Sequence, residues 1–395
     1  GFGAANGKVA GQYIVVFKDA INVNDVDGAS DELAKNHDLS KLQTYRHALK
    51  GFAATVPAGR LKKLESDPRV EFVSEDRIVS IDRTVSIAAQ TLPTGVNRID
   101  AEQTLTHINK GTGINVAIID TGIDLKHPDL KTNIVGGKNC SSGKSYSDGN
   151  GHGTHVAGTV AAIDNGLGAV GVAPEAKLWA VRVLNNAGSG TWSSVICGID
   201  FVTSKAPANG GPIMVANMSL GGGGTSDNNC GNTNNDALHK AICRSRDAGV
   251  TYVVAAGNNG SGAAAFVPAA YDDAVITVSA LADSDGQSGG LGSQTSYGAD
   301  DTFATFSNYG SVVDLGAPGV SIFSTWKGGT YNTISGTSMA SPHVAGTAAL
   351  YIKNNPGASW IGVRDALKTL AEPLNFGHTD PSGLHAESVV KAGSL

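Results

Sequence analysis

The segment GTSMASPHVAG at residues 336–346 opens an apolar helical run that continues to Tyr351. Its Ser338 follows a Gly-Thr pair, so the spacing predicts a serine at the N-terminus of a helix. Unpaired backbone N–H groups and the positive end of the helix dipole surround an oxygen at such a position. They can stabilise a nucleophile and the oxyanion that it generates. An ordinary helix-capping serine would carry the same pattern, so this segment alone leaves both interpretations open.

The segment NVAIIDTGIDLKHPDL at residues 115–130 begins with a short apolar run, Asn115–Ile119, that is typical of a buried strand. Asp120 follows directly, at the predicted C-terminal end of that strand. In open parallel α/β sheets the chemistry is concentrated at these strand ends. The alternative is an ordinary turn aspartate, because Asp is common in such turns.

The segment DGNGHGTHVAGTVAAI at residues 148–163 leads through a Gly-rich loop to His152, at the start of another predicted helix. A single histidine there would more often be structural than catalytic. We expect structural roles for His155 and His343, because each lies deeper inside its predicted helix.

Asp120, His152 and Ser338 occur in the chain order Asp, His, Ser, which is the order of the subtilisin triad. The motifs IDTGID, HGTHVAG and GTSMASPHVAG resemble those of the subtilisin-like serine proteases (subtilases). The resemblance implies that His152 takes the proton of the Ser338 hydroxyl and returns it to the leaving amine. Asp120 would hold the imidazole tautomer and stabilise the imidazolium.

The segment YVVAAGNNG at residues 252–260 predicts a strand that is followed by Gly257 and Asn258. The resemblance implies that the Asn258 side chain and the Ser338 backbone N–H bind the oxyanion of the tetrahedral intermediate. Loss of one such donor costs about 3–4 kcal/mol of transition-state stabilisation in serine proteases of this type. The alternative is a turn residue in an Asn-Asn-Gly stretch.

The resemblance also implies a groove in which an extended peptide adds a strand between two glycine-containing edges. These edges comprise Gly188, Ser189, Gly190, Ser219, Leu220 and Gly221. Trp192, Val195 and Leu220 would line an apolar pocket for the fourth residue before the cleaved bond, unless Trp192 and Val195 simply pack in the core. Ala256, Gly257 and Asn259 would surround the primary specificity pocket, with Phe266 near its base. No acidic residue matches the floor of that pocket, so we expect a broad preference for apolar or aromatic residues.

Residues 1–88 have a different pattern, which predicts a small α+β domain. The predicted strands are 11–19, 51–56 and the end of 67–81, and the predicted helices are Ser30–Asn36 and Ala58–Ser66. This part resembles the ferredoxin-like, inhibitor-type propeptide of subtilases, which assists folding and then blocks the cleft with its C-terminal segment. An unrelated N-terminal domain is the alternative.

The end of this propeptide lies between residues 82 and 89, where two sequence matches disagree. Counting onward from VEFVSED places the cleavage near Asp82, whereas AAQTLPTGVNRI resembles a mature N-terminus and places it between Ala88 and Ala89. We favour the second, because it puts Ala88 in the primary pocket and Val85 in the apolar distal pocket.

Residues 89–395 alternate predicted strands and helices, which favours an α/β fold with a parallel sheet flanked by helices. This fits the subtilase catalytic domain. The predicted strands are Asn115–Ile119, Leu178–Val183, Ile213–Met218, Thr251–Ala255 and Ala274–Val278. The predicted helices are His152–Ile163, Ser193–Ser204, Asn235–Asp247, Thr337–Asn354 and Gly362–Ala371.

Calcium is implied by the resemblance, because carboxylate, amide and carbonyl oxygens suit a hard cation. The tight site would combine Gln90, Asp129 and Asn165 with carbonyl groups of Ile163, Leu167 and Ala169. A weaker site would combine Asp314 with carbonyl groups of Ala269, Tyr271 and Val275, although one inserted residue in YDDAV shifts that register. The alternative at Asn165 is a plain Asn-Gly turn.

The segment ALADSDGQSGGLGSQTSYGADD at residues 280–301 is an insertion relative to the compact subtilases. It contains Asp283, Asp285, Asp300 and Asp301. It is either a flexible surface loop or a loop that folds around another Ca²⁺.

The four cysteines allow three complete pairings and show no CxxC spacing, which argues against zinc. We favour Cys230–Cys243, which are near in sequence, together with Cys140–Cys197. Free thiols are the alternative.

Composition agrees with a secreted enzyme that acts on proteins and peptides. The 395 residues are 41% apolar and 16% charged, with a net charge of −6, which argues against nucleic acid or anionic membranes as partners. No apolar run approaches the roughly 20 residues of a membrane helix. We expect a secreted monomer whose own propeptide is its inhibitor.

Two other function classes compete with a serine endopeptidase. An inactive binding protein is disfavoured by the complete set of Asp120, His152, Asn258 and Ser338. A non-proteolytic esterase is disfavoured by the triad order and by the absence of G-x-S-x-G around Ser338.

Overall fold

The computed structural model describes residues 7–57, 59–80, 92–102 and 108–395. The predictions for Gln90 and for the bonds after Asp82 and Ala88 lie outside the described residues. Two packed parts are formed, a small N-terminal α+β domain and a larger α/β domain, as the sequence predicts.

The N-terminal domain is an antiparallel sheet covered by helices. Its elements are β1 (Lys8–Phe17), α1 (Val26–Asn36), β2 (Ser40–Tyr45), β3 (Gly51–Thr55), α2 (Leu61–Glu65) and β4 (Val70–Ser80). The strand order is β2-β3-β1-β4, and a short 3-10 helix at Val23–Asp25 precedes α1. Successive side chains of β1 point to opposite faces of the sheet. Val15 and Phe17 therefore join the helix-covered core, whereas Ile14 and Val16 face the larger domain.

The larger domain contains six helices and fourteen strands among the described residues. Its helices are α3 (Thr94–Arg98), α4 (His152–Ala161), α5 (Trp192–Ser204), α6 (Ala237–Asp247), α7 (Thr337–Asn354) and α8 (Trp360–Leu370). The first strands are β5 (Asn115–Asp120), β6 (Ile134–Asn139), β7 (Lys177–Arg182), β8 (Ser189–Thr191), β9 (Ile213–Met218), β10 (Gly222–Gly223) and β11 (Thr251–Ala255). The others are β12 (Phe266–Val267), β13 (Ile276–Ala282), β14 (Thr302–Phe303), β15 (Leu315–Pro318), β16 (Ile322–Trp326), β17 (Thr330–Ile334) and β18 (Ser388–Val389).

The central sheet is parallel, in the order β6-β7-β5-β9-β11-β13-β15-β18, with β14 added antiparallel to β13. Every residue of β5 is buried, because helices cover both faces of such a sheet. Helix α7 is buried along almost its whole length, which explains why small and apolar residues predominate in its sequence. The C-terminal ends of β5, β9 and β11 therefore meet at one edge, next to the N-terminus of α7.

Most predicted elements are confirmed within a few residues, but ten of the eighteen strands in the described ranges and helix α3 were missed, and most of these strands are at most five residues long. β2 is polar and largely exposed, and β6 contains two glycines, so neither has the apolar pattern of a buried strand. β15 contains Gly316 and ends in Pro318, which also weakens its strand signal.

Both favoured cysteine pairings are confirmed. Cys140 and Cys197 are joined by a 2.04 Å S–S bond, and Cys230 and Cys243 by a bond of 2.10 Å. The first bond ties the residue after β6 to α5, and the second ties the segment before α6 to that helix. No helix in the described ranges has the length and hydropathy needed to cross a membrane.

Candidate active site

Asp120 is the last residue of β5 and is completely buried. Its Oδ1 accepts a hydrogen bond from the backbone N–H of Thr121 at 2.6 Å. The Thr121 hydroxyl in turn accepts from the backbone N–H of Gly153 at 2.9 Å, which joins the strand end to the start of α4. A Cβ on Gly153 would lie 2.2 Å from the Gly122 carbonyl oxygen, so only glycine permits this approach.

His152 is the first residue of α4, and its imidazole faces Asp120. Its Nδ1 lies 2.9 Å from both carboxylate oxygens of Asp120, and both side chains are fully buried. This contact selects the tautomer that has Nδ1 protonated and Nε2 free to accept a proton. Within the described ranges, His152 Nε2 is buried and has no hydrogen-bond partner, as a general base that is not yet engaged would be.

Ser338 lies in the first turn of α7, as the sequence predicts. Its hydroxyl donates to the Ser219 carbonyl oxygen at 3.3 Å, and the Ser219 hydroxyl donates to the Ser338 carbonyl oxygen at 2.7 Å. Asn217 donates to the Ser219 hydroxyl at 2.9 Å, so the end of β9 holds the start of α7. The Ser338 hydroxyl is therefore not bonded to His152 in this state, and that hydrogen bond would have to form when a substrate binds.

Asn258 follows β11 and points its amide toward Ser338. Its Oδ1 accepts from the backbone N–H and the hydroxyl of Thr337, each at 2.8 Å, which leaves Nδ2 as the outward donor. That Nδ2 is buried and has no partner among the residues that the structure describes. A Cβ placed on Gly336 would lie 3.3 Å from Asn258 Nδ2 and 3.7 Å from the Ser338 backbone nitrogen. The two donors thus face one small space, as an oxyanion site requires.

A groove beside these residues is occupied by β4 of the N-terminal domain. β4 pairs antiparallel with β8, with Ile78 opposite Thr191, Val79 opposite Gly190 and Ser80 opposite Ser189. On the other side, a Cβ on Gly222 would lie 2.7 Å from the Ile78 carbonyl oxygen. The N-terminal domain therefore inserts its last described strand between the two predicted edges, in the manner of a bound extended peptide.

Comparisons with known proteins agree with this geometry. Residues 111–386 match the sequence model of the subtilase family, and residues 12–82 match that of the peptidase inhibitor I9 domain. The chain belongs to the subtilase family. It is 43% identical to Subtilisin DY of Bacillus licheniformis over 290 residues, which cover 72% of this chain and 93% of that protein. It is 38% identical to Subtilisin NAT of Bacillus subtilis subsp. natto over 368 residues, which cover 92% and 86%.

A solved structure described as a cold-adapted subtilisin-like serine proteinase has the same fold. Its TM-score is 0.61 at 35% sequence identity, and the match covers 77% of this chain and 99% of that one. This subtilase is therefore a serine endopeptidase that carries an I9 propeptide domain.

Val79 of β4 lies beside the residues that were predicted to line the distal pocket. Val79 is fully buried and belongs to the same apolar cluster as Trp192, Val195 and Leu220. β4 runs from the inhibitor domain into the groove and brings Val79 opposite Gly190. The expectation that Val85 would fill this pocket lies outside the described residues.

The predicted primary pocket is organised by a residue that the sequence analysis did not single out, Asn308. Its Nδ2 donates to the Ala256 carbonyl oxygen at 3.0 Å, and its Oδ1 accepts from the Asn259 N–H at 2.9 Å. The Gly257 carbonyl oxygen accepts from the Asn308 N–H at 2.9 Å. Phe266 is buried and pairs with Gly223 across β12 and β10. The SNYG segment that contains Asn308 has no charge or motif that signals this role.

Two buried aspartates hold the inhibitor domain on α5, and the sequence analysis missed both. Asp76 of β4 accepts from the Ser193 N–H at 2.9 Å, at the N-terminus of α5. Asp200 Oδ1 accepts the N–H groups of Arg46, His47 and Ala48 at 3.0, 2.6 and 2.9 Å. Burial raises the pKa of both carboxyl groups, although these hydrogen bonds oppose the rise.

The residues predicted for tight calcium binding are brought together around Asp129. Its carboxylate oxygens accept from Asn165 Nδ2 and the Ala169 N–H, each at 3.1 Å, and the Ile163 N–H donates to its carbonyl oxygen at 3.0 Å. Asn165 Oδ1 accepts from the Leu167 N–H at 2.9 Å. A pocket of about 290 Å³ is lined by the loop 163–170 and also by Leu92 and Glu102. The Tyr331 hydroxyl also donates to Asp129 Oδ2 at 2.8 Å, so hydrogen-bond donors surround this carboxylate in the structure.

The residues predicted for the weaker calcium site have hydrogen-bond partners within the chain. Asp314 Oδ1 lies 3.1 Å from Lys368 Nζ, and its Oδ2 accepts from the Thr277 N–H at 3.0 Å. The Ala269 carbonyl oxygen accepts from the Thr277 hydroxyl, and that of Tyr271 accepts from the N–H groups of Ala274 and Val275. The calcium site at Asp314, Ala269, Tyr271 and Val275 stays a prediction.

His155 and His343 are buried inside their helices, as expected for structural residues. His155 Nε2 lies 2.9 Å from the Ile322 carbonyl oxygen, and His343 Nδ1 lies 2.9 Å from that of Met339. Burial lowers the pKa of His155 to about 3 and that of His343 to about 4. Both rings are therefore neutral across the physiological range.

Proposed function

We propose that this subtilase is a secreted zymogen in which Ser338 is the nucleophile, His152 the general base and Asp120 the residue that orients His152. The observation that carries the proposal is the buried Asp120–His152 contact beside two unpartnered groups, His152 Nε2 and Asn258 Nδ2. Among the described residues, unpartnered buried atoms also occur at structural residues such as His343, so the proposal depends on the Asp120–His152 contact and on the position of Asn258 Nδ2 beside the Ser338 backbone nitrogen.

The chemistry follows from these groups. Ser338 Oγ attacks the carbonyl carbon while its proton moves to His152 Nε2, and the carbonyl oxygen becomes an oxyanion that Asn258 and the Ser338 N–H bind. The proton then passes from His152 to the leaving amine as the C–N bond breaks. Water repeats the sequence on the acyl-enzyme, which releases the acid and restores the serine hydroxyl.

We propose a broad preference for apolar or aromatic residues before the cleaved bond. The support is the neutral lining of the primary pocket by Ala256, Gly257, Asn259 and Asn308, and the apolar distal position that Val79 occupies. Peptides that differ only in the residue before an internal amide would test this. Comparable kcat/KM values for Leu and Phe that exceed those for Lys and Asp are expected, and a preference for Lys or Asp would overturn it.

Hydrolysis of an internal amide also tests the enzyme class. The parent should cleave such a peptide, and Ser338→Ala and His152→Ala should not. Cleavage of short esters without cleavage of the amide would instead favour an esterase.

We propose that the enzyme removes its own propeptide, which comprises residues 1–88. The proposal assigns inhibition and cleavage to different segments. β4 up to Ser80 lies in the groove as the inhibitor, whereas the sequence match supports cleavage between Ala88 and Ala89. The released domain would remain bound through Asp76 and Asp200 and would inhibit until it is degraded.

We propose that Ca²⁺ stabilises the mature fold through Asp129, Asn165 and the carbonyl groups of Ile163, Leu167 and Ala169, with Gln90 as a further ligand. Bound calcium would link the loop 163–170, which follows α4, to Gln90, the second residue of the proposed mature chain. The pocket between this loop and Leu92 supports the proposal.

A further inference from the structure

The insertion at residues 280–301 is folded around three carboxylates. One oxygen each of Asp283, Asp285 and Asp300 can be chosen so that all three lie within 4.8 Å of one another. Asp283 and Asp300 are buried, and Asp285 is exposed at the mouth of the cluster. Three like charges at this separation repel one another unless a cation or protons offset them.

One carboxylate oxygen in this cluster accepts no hydrogen bond from the described residues. Asp283 is only 2% exposed, and its Oδ1 accepts from the Gly286 N–H at 3.0 Å. Its Oδ2 is buried without a hydrogen-bond partner in the described part of the chain.

The other two carboxylates are fixed by backbone donors. Asp300 accepts from the Ser284 and Gly292 N–H groups, each at 2.7 Å, and Asp285 accepts from the Gln287 N–H at 2.9 Å. Each carboxylate oxygen has a second lone pair, so these bonds orient the oxygens without exhausting them. The loop is therefore ordered around its acidic residues.

The nearby arginine is committed to other partners. Arg98 is fully buried and donates to Asp301 at 2.6 Å and to Glu372 at 2.7 Å. Within the described ranges its hydrogen bonds go to Asp301, Glu372 and the Gly377 carbonyl oxygen, and none goes to the three carboxylates of the cluster.

We propose that Asp283, Asp285 and Asp300 bind a Ca²⁺ ion that clamps the insertion. The donors are hard oxygens without His or Cys, which suits Ca²⁺ rather than a transition metal. Two oxygens that bind one Ca²⁺ lie at most about 5.2 Å apart, and the three oxygens here lie within 4.8 Å of one another. The exposure of Asp285 gives an entry path and leaves room for water ligands. This site is separate from the one proposed at Asp129 and does not depend on the enzyme's activity.

Calcium counting tests the proposal directly. The full chain with Ser338→Ala is equilibrated with Ca²⁺ up to about 10 mM, above the roughly 10⁻³ M limit of weak extracellular sites. Asp283→Asn, which keeps the side-chain shape, and Asp285→Asn, which changes an exposed group, should each bind one ion fewer per chain. Asp380→Asn removes an aspartate of similar loop geometry outside the cluster, and should leave the count unchanged. An unchanged count in both cluster variants would overturn the proposal.

Thermal unfolding gives a second test in which the sign of the effect is decisive. In chelator, Asp283→Asn should melt at or above the temperature of its parent, because an uncompensated buried charge is removed. In Ca²⁺ it should melt below the parent, because the parent alone gains the ion. If Asp283→Asn lowers the melting temperature equally in both conditions, the Asp283 carboxylate is purely structural and the proposal fails. If Mg²⁺ raises the melting temperature of the parent as much as Ca²⁺ does, the assignment of the ion is overturned.

Discussion

Asp200→Ala should release the enzyme from its propeptide without harming catalysis. Asp200 lies on α5, outside the catalytic residues, and its Oδ1 accepts three consecutive N–H groups from Arg46 to Ala48. Alanine would leave these three donors without an acceptor when the inhibitor domain docks.

The size of the effect follows from the three bonds. At about 1 kcal/mol net for each, the loss is about 3 kcal/mol, which corresponds to an inhibition constant about 150-fold weaker. Burial of the carboxylate offsets part of this, since it raises the pKa of Asp200 and so disfavours the charged form in the complex. We therefore expect weakening of about 100-fold.

The assay is inhibition of matured Asp200→Ala enzyme by added wild-type propeptide, followed with a small peptide substrate. Its kcat and KM should match those of the parent. Asp247→Ala serves as the control, because Asp247 is an exposed aspartate that pairs with Arg246. An inhibition constant within about threefold of the parent value would refute the assignment of this contact as the main anchor, since threefold is only about 0.7 kcal/mol.

Three further predictions concern the active site and stability. Asn258→Ala should lower kcat about 10²–10³-fold with little change in KM, because the free Nδ2 of Asn258 would act only on the oxyanion. In steady-state assays, a rise in KM as large as the fall in kcat would contradict this. Asp129→Asn should abolish the protection that Ca²⁺ gives against heat inactivation; a variant as chelator-sensitive as the parent would remove Asp129 from the site. Stability should fall below pH 6.5, because the unfolded chain protonates His155 and His343 there whereas the folded pKa values are lowered to about 3 and about 4. Each histidine should lower the free energy of unfolding by about 2 kcal/mol between pH 7 and pH 5. Denaturant unfolding at several pH values measures this, and the same pH dependence in His343→Gln as in the parent would contradict it.

The motifs predicted the catalytic centre because each places a residue that can act as an acid, a base or a nucleophile at a strand end or a helix start. Asp120, His152 and Ser338 stand directly at such points, and the alternation of elements determines that those points meet. Asn258 was found for the same reason. Their roles rest on this placement and remain proposals until tested.

Contacts between distant segments were not predictable in the same way. Asn308 and Asp200 act through backbone groups far away in sequence, and neither stands in a pattern that shows the partner. The burial of Val79 opposite Gly190 depends on where β4 enters the groove, which residue types alone do not determine. The pairing of Asp314 with Lys368 was not foreseen, because Lys368 lies on a helix 54 residues further along the chain.

Mass and N-terminal analysis of the refolded chain, beside Ser338→Ala and with Ca²⁺ present, tests the central claim most directly. The parent should split into a propeptide and a mature chain that begins at Ala89, whereas Ser338→Ala should remain whole with β4 in the groove. A parent that stays intact, or a Ser338→Ala chain that splits at the same rate, would contradict the assignment of Ser338 as the nucleophile that processes this zymogen.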